Sequence, residues 1–161
     1  MNIFVFSEAA WDDKNSFGNT VSNFLCGDGW RNDNFCNFYA RKQMPDNKIT
    51  ASYYNLSATD IVKGILKVHI EGCAFKTENI DAEQETLDFA HEKEQKNIDR
   101  LHQNKNEFIY YGHEQIWRSR LWLNRIFKKF IEENAPDVLF AFATSPYILW
   151  PLTQYLKKHT A

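Results

Sequence analysis

Two short stretches combine small polar side chains with the local geometry that can hold a ligand. In the first, Ser16-Phe17-Gly18-Asn19-Thr20 leads into a helical pattern. One glycine there would let a phosphate or a sugar come close to the backbone, with three small hydroxyl or amide side chains beside it. In the second, Thr144-Ser145-Pro146 opens the last helical pattern in the same way. Trp11-Asp12-Asp13 adds an aromatic ring and two carboxylates, a set suited to stacking on a sugar ring and bonding its hydroxyls. Each has a plainer reading. A lone glycine before a helix is commonly a turn, Ser or Thr before a helix is commonly a cap, and Trp11 could anchor its own loop on the core.

Other chemistries find little support. There is no G-x-G-x-x-G after the first apolar run and no G-x-x-x-x-G-K-[ST], which disfavours hydride transfer and P-loop hydrolysis. Ser145 follows a strand pattern and precedes a helix, as a hydrolase nucleophile would, but the flanking glycines are missing and Pro146 comes next. His69, His91, His102, His113 and His159 form no H-E-x-x-H or i,i+4 pair, and no metal site is expected. Cys26, Cys36 and Cys73 have no C-x-x-C spacing and read as free thiols of a reducing compartment. The run from Trp117 to Arg125 could turn Arg118 and Arg125 toward an anionic lipid headgroup or a partner, or be only a solvated stripe.

The elements that must position these residues follow from apolar spacing. Asn2–Phe6 is a continuous apolar run, the pattern of a strand buried on both faces of a parallel sheet. Val21, Phe24 and Leu25 give a helix over 19–25. Strands are expected near 35–40 and 52–56, followed by a helix capped by Ser57 with Asp60 at its third position and Ile61, Val62, Ile65, Leu66 and Val68 inward. Residues 76–107 are highly charged around a thin stripe of Leu87, Ala90, Ile98 and Leu101, which predicts an exposed helical insertion. A single long helix over 114–134 is expected to end at Ala135-Pro136. A second all-apolar strand over 137–142 and a helix over 147–158 complete the order, with Pro146 at the first helical position. The expected class is α/β, a parallel sheet with helices on both faces plus a charged helical arm.

Composition agrees with one globular domain. The chain has 161 residues, 43% hydrophobic and 25% charged, with a net charge of -2. That length can bury roughly two thirds of the unfolded surface, and the charge balance argues against a nucleic-acid partner. The first apolar run is too short for a signal peptide, which leads to a cytoplasmic expectation. The chain stops just after a helix that a βαβ pattern would lead back into the sheet, as a chain cut short would.

The opening Asn2-Ile3-Phe4-Val5-Phe6-Ser7-Glu8 with Asn15–Thr20, together with Pro136–Pro146, resembles the N-terminal half of bacterial GT-B glycosyltransferases of the family 4-like group. The likeness covers the two ends of the chain and leaves 70–115 unmatched. It implies a Rossmann-like acceptor-side domain of a hexosyltransferase acting on a cell-surface glycan or glycolipid, inactive alone. A C-terminal domain of the same chain would bind the nucleotide-sugar donor. No cofactor besides that substrate is implied, catalytic residues are unassigned, and peripheral contact with the inner face of the membrane is compatible with it. The glycine loop maps onto Ser16, Gly18, Asn19 and Thr20, and the later loop onto Thr144 and Ser145. The departure is the missing second domain. A stand-alone flavodoxin-like binding or regulatory module is the alternative.

Overall fold

The computed structural model describes residues 1–14, 16–25, 33–47, 49–67, 70, 72–80, 107–142 and 146–160, without the side chains of Phe17, Lys67 and 107–110. Five strands form one sheet: β1 (Asn2–Ser7), β2 (Asn34–Tyr39), β3 (Thr50–Asn55), β4 (Cys73–Lys76) and β5 (Val138–Phe142), in the order β4-β3-β2-β1-β5. β1 pairs in parallel with both β2 and β5, and β2 in parallel with β3. β4 runs antiparallel to β3. The α/β class with a mostly parallel, Rossmann-like sheet is therefore the observed one. β1 lies inside the sheet, so its residues Ile3 to Ser7 are all buried, as the unbroken apolar run predicts.

Helices cover both faces for a topological reason. Helix α1 (Ser16–Leu25) links β1 to β2, and the path from β3 to β5 runs back across the sheet in the opposite direction. Crossovers between parallel strands are right-handed, so reversing direction sends the later helices to the opposite face. That face receives α2 (Ala58–Lys67), α3 (Glu107–Arg118), α4 (Arg125–Asn134) and α5 (Pro146–His159). There Phe4, Phe6, Phe38 and Tyr54 pack against Trp117, Trp122, Phe127, Phe130 and Leu152. On the α1 face, Ile3, Val5 and Phe35 meet Trp11, Val21 and Leu25.

Several local expectations are corrected. The helix expected over 114–134 is two helices, because Arg120 takes a left-handed φ of 59° and Asn124 caps α4 by accepting from the Phe127 N–H at 2.9 Å. The break lets Trp117 and Trp122, five positions apart, both turn inward, and the Trp122 indole donates to the Trp117 carbonyl at 2.9 Å. In α2 the cap is as expected: Ser57 and Asp60 bond each other's backbone N–H at 3.3 and 3.0 Å, a capping box. Its inward stripe, however, is half-buried Ala58 with buried Ile61 and Gly64, while Val62, Ile65 and Leu66 are exposed, Leu66 at 80%. Val68 lies outside the described residues.

The charged arm expected over 76–107 is cut back at both ends. Lys76 closes β4, Thr77–Asn79 is a short 3-10 helix and Glu107 opens α3. Leu87, Ala90, Ile98 and Leu101 lie outside the described residues. β4 escaped the sequence reading because four residues with one buried side chain, Phe75, carry no measurable period. β5 is apolar as expected but occupies a sheet edge, and its side chains are half-buried or exposed.

Candidate functional site: the carboxyl ends of the strands

The strand order reverses between β1 and β5, and ligands of open α/β sheets bind beyond the carboxyl ends of strands at such a point. Ser7 and Phe142 are register partners there. The loop leaving β1 is bound to its neighbours by many polar contacts. The Ser7 hydroxyl donates to the Ala9 carbonyl at 2.6 Å, and the Ala40 N–H donates to the Glu8 carbonyl at 3.1 Å. Buried Asn37 donates to the Val5 carbonyl at 3.0 Å and to Ser7 Oγ at 3.1 Å, and it accepts from the Trp11 N–H at 3.3 Å.

The residues expected to meet ligand separate into two groups. Trp11 is fully buried, its ring edge-on to Phe35 at 5.7 Å and its indole N–H donating to Ser22 Oγ at 2.8 Å. Stacking on a sugar is therefore corrected to core anchoring: an indole covered by Phe35 and α1 offers no open face. Gly18 is corrected too. The helix starts at Ser16, three residues earlier than expected, which puts Gly18 on its inner side against Asp12. A Cβ there would lie 2.0 Å from the Asp12 carbonyl oxygen, so the close approach that glycine allows is used by the protein's own backbone. Ser16, Asn19 and Thr20 share the opposite, exposed side of α1. Thr20 Oγ1 donates to the Ser16 carbonyl at 2.8 Å, and Asn19 Oδ1 accepts from Asn23 at 3.0 Å. Thr144 and Ser145 lie outside the described residues.

Carboxylates near this loop have structural partners. Asp13 accepts from the Ser22 hydroxyl and from Asn47 Nδ2, the latter at 3.0 Å, and Asp12 accepts from the Lys14 N–H at 2.9 Å. Lys14 pairs with Asp46, which raises its ammonium pKa. Asn47 in turn accepts at Oδ1 from the Ile49 and Thr50 N–H groups at 2.8 and 3.1 Å, fastening the β2–β3 connection to the β1 loop. Among the described residues no His, Cys, Asp and Glu group is arranged to hold a metal ion. Such an arrangement can order a polar ligand by hydrogen bonding.

The sequence reading missed the asparagines that build this end of the sheet. Asn37 interrupts the aromatic run of β2 and Asn55 closes β3, which is itself a signal because asparagine is depleted in strands. Asn55 donates to the Tyr39 and Arg41 carbonyls at 3.2 and 2.7 Å. Its Oδ1 and the Tyr39 hydroxyl are the buried side-chain atoms with no partner among the described residues. Burial pushes the Tyr39 phenol far above its usual range, with Cys73 and Tyr53 adding to the rise. No family model, curated protein or solved structure matches this chain. Topology and side-chain chemistry are therefore what bears on function. No helix among the described residues is long and apolar enough to cross a membrane.

Proposed function

We propose that the chain is the acceptor-side domain of a nucleotide-sugar-dependent glycosyltransferase, binding a glycan or glycolipid headgroup in the crevice at the β1/β5 reversal. The observation that carries this reading is the reversal itself; the helix that leaves β1, α1, adds an exposed row of Ser16, Asn19 and Thr20. Hydroxyl and amide groups on a rigid helix suit the many hydroxyls of a saccharide. The donor, a nucleotide sugar, would be held by a second domain. On this reading the 161-residue chain alone binds without turning over.

A titration of the isotope-labelled chain tests it. Amide shifts of residues 8–20 and 142–147 are expected to move with an oligosaccharide acceptor and to move less with UDP-glucose. Silence of those amides toward both probes at millimolar concentration would overturn the assignment. A second reading, a stand-alone binding module, is favoured by one specific contact. The Asp12 backbone fills the space beside Gly18, so the start of α1 lacks the open glycine cradle of a phosphate loop. Binding of an uncharged non-saccharide ligand at the same amides would select that module.

A further inference from the structure

A second cleft opens on the face that carries α2 to α5, between the turn that joins α3 to α4 and the C-terminal half of α5. It is shallow and largely open to solvent, with a volume of about 430 Å³. Leu123 and Pro151 contribute apolar surface, and Arg120, Lys157, Lys158 and His159 supply donors. No carboxylate is among the described residues that line it, although the whole chain carries a net charge of -2. Arg41, Lys42, Arg118 and Lys129 each pair with a carboxylate. Arg120, Lys157 and Lys158 make no ion pair among the described residues, as is also true of Lys63, Lys76, Arg125 and Lys128; what sets the three apart is that they line one cleft.

Helix polarity accounts for only part of this. Lys157, Lys158 and His159 occupy the last turn of α5, where cations favour the helix dipole. Arg120 comes from another element and sits at φ 59°, where glycine or asparagine is favoured sterically. The turn is held by the Leu123 N–H donating to the Arg120 carbonyl at 3.0 Å and by the buried Trp122. From this position Arg120 lines the same cleft as Lys157, Lys158 and His159. Tyr155 and His159 stack at 4.4 Å with an interplanar angle of 27°, giving the cleft a flat aromatic wall.

We propose that this cleft binds a phosphate ester, with the Arg120 guanidinium and the Lys158 ammonium on the phosphate and Gln154 and the Tyr155–His159 stack against the esterified group. The cleft has room for more than a bare phosphate. Its ligand is a soluble phosphorylated metabolite or the headgroup of an anionic lipid, two sources of one chemistry. The site is separate from the β1/β5 crevice and does not rest on the saccharide reading.

The test uses the full chain with inorganic phosphate, glycerol 3-phosphate, and phosphatidylcholine vesicles with and without phosphatidylglycerol. Glycerol 3-phosphate is expected to move the amides of 119–123 and 154–159 and to leave 8–20 in place. Arg120→Gly removes the guanidinium while suiting the left-handed backbone. The variant is therefore expected to keep or raise its Tm and to bind about tenfold more weakly or worse, the loss expected for a charged hydrogen bond. Lys158→Gln should weaken binding similarly, and Lys129→Gln should not. Saturation by the soluble ester without vesicle binding assigns a metabolite; phosphatidylglycerol-dependent vesicle binding that the ester competes away assigns a lipid headgroup. Shifts spread evenly over all exposed cations, or unchanged affinity in both Arg120→Gly and Lys158→Gln, would refute the site.

Discussion

On one face of the sheet Phe4, Phe38, Tyr54, Trp122 and Tyr155 all touch the Phe127 ring, at centroid distances of 5.3–6.5 Å. On the other, the loops are fastened by Asn37, Asn47, Asn55, Asp13 and Ser22. The first face gains from non-directional apolar burial and tolerates a change of shape better than a loss of volume. The second depends on directional bonds, where one wrong atom leaves a buried group unpaired. Loops at a binding end have to be placed accurately, and hydrogen bonds do this where packing alone would leave several arrangements nearly equal.

Breaking the apolar face at its centre should have the largest effect. Phe127→Ala is expected to lower the unfolding free energy by about 3–5 kcal/mol in urea titrations. On the polar face, Asn37→Leu leaves the Trp11 N–H without its acceptor and takes a donor away from both the Val5 carbonyl and Ser7 Oγ. A loss of about 2–3 kcal/mol is expected, with faster amide exchange confined to residues 8–14. A loss spread over the whole chain with no local change in exchange would contradict the division between the faces.

A pair of glycines sharpens the same comparison. Gly18→Ala should cost about 1–3 kcal/mol through overpacking against Asp12, whereas at Gly112 nothing lies within 4 Å of a new Cβ. Gly112→Ala should therefore stabilise by up to about 1 kcal/mol, the ordinary gain in helix propensity. Thermal or chemical denaturation of the two variants would reveal it if their signs were the same.

The buried acids give a pH signature. Burial pushes the Cys36 thiol up from 9.0 to about 12 and raises the Tyr53 and Tyr54 phenols as well. Raised folded-state values mean that the unfolded chain ionises first. Stability from Cys36 is fully present below pH 9 and is lost as pH rises toward about 12, at up to about 1.4 kcal/mol per pH unit for each such group. Cys36→Ala should flatten that slope, measured by denaturation across the alkaline range. The smallest effect separates two tyrosines: Tyr53 donates to the Asn47 carbonyl at 2.8 Å, and Tyr39 has no partner for its hydroxyl among the described residues. Tyr53→Phe should cost about 1 kcal/mol and Tyr39→Phe close to nothing.

Legibility followed the length scale of each signal. β1 was readable because four consecutive apolar residues suit only a strand covered on both sides. The α2 cap was readable because Ser57 and Asp60 carry a local signature. The break after Arg118 was not, since 116–131 keeps its apolar residues at near-helical spacing and only the pairing of Trp117 with Trp122 in one core requires the turn. At the candidate site, small polar residues mark a segment in the sequence but not the side each of them faces. A three-residue shift in where α1 starts turned Gly18 inward and left Ser16, Asn19 and Thr20 outside.

From the sequence alone came the α/β class, the central buried strand, the polar segments after it and the helix-ending Ala135-Pro136, because each depends on neighbours within a turn or two. Contacts distant in sequence decided that β5 is an edge, that Trp11 belongs to the core, that Gly18 accommodates Asp12, and that Arg120 shares a cleft with the end of α5. None of these has a local signature, since a side chain's role there depends on which atoms from elsewhere in the chain arrive beside it.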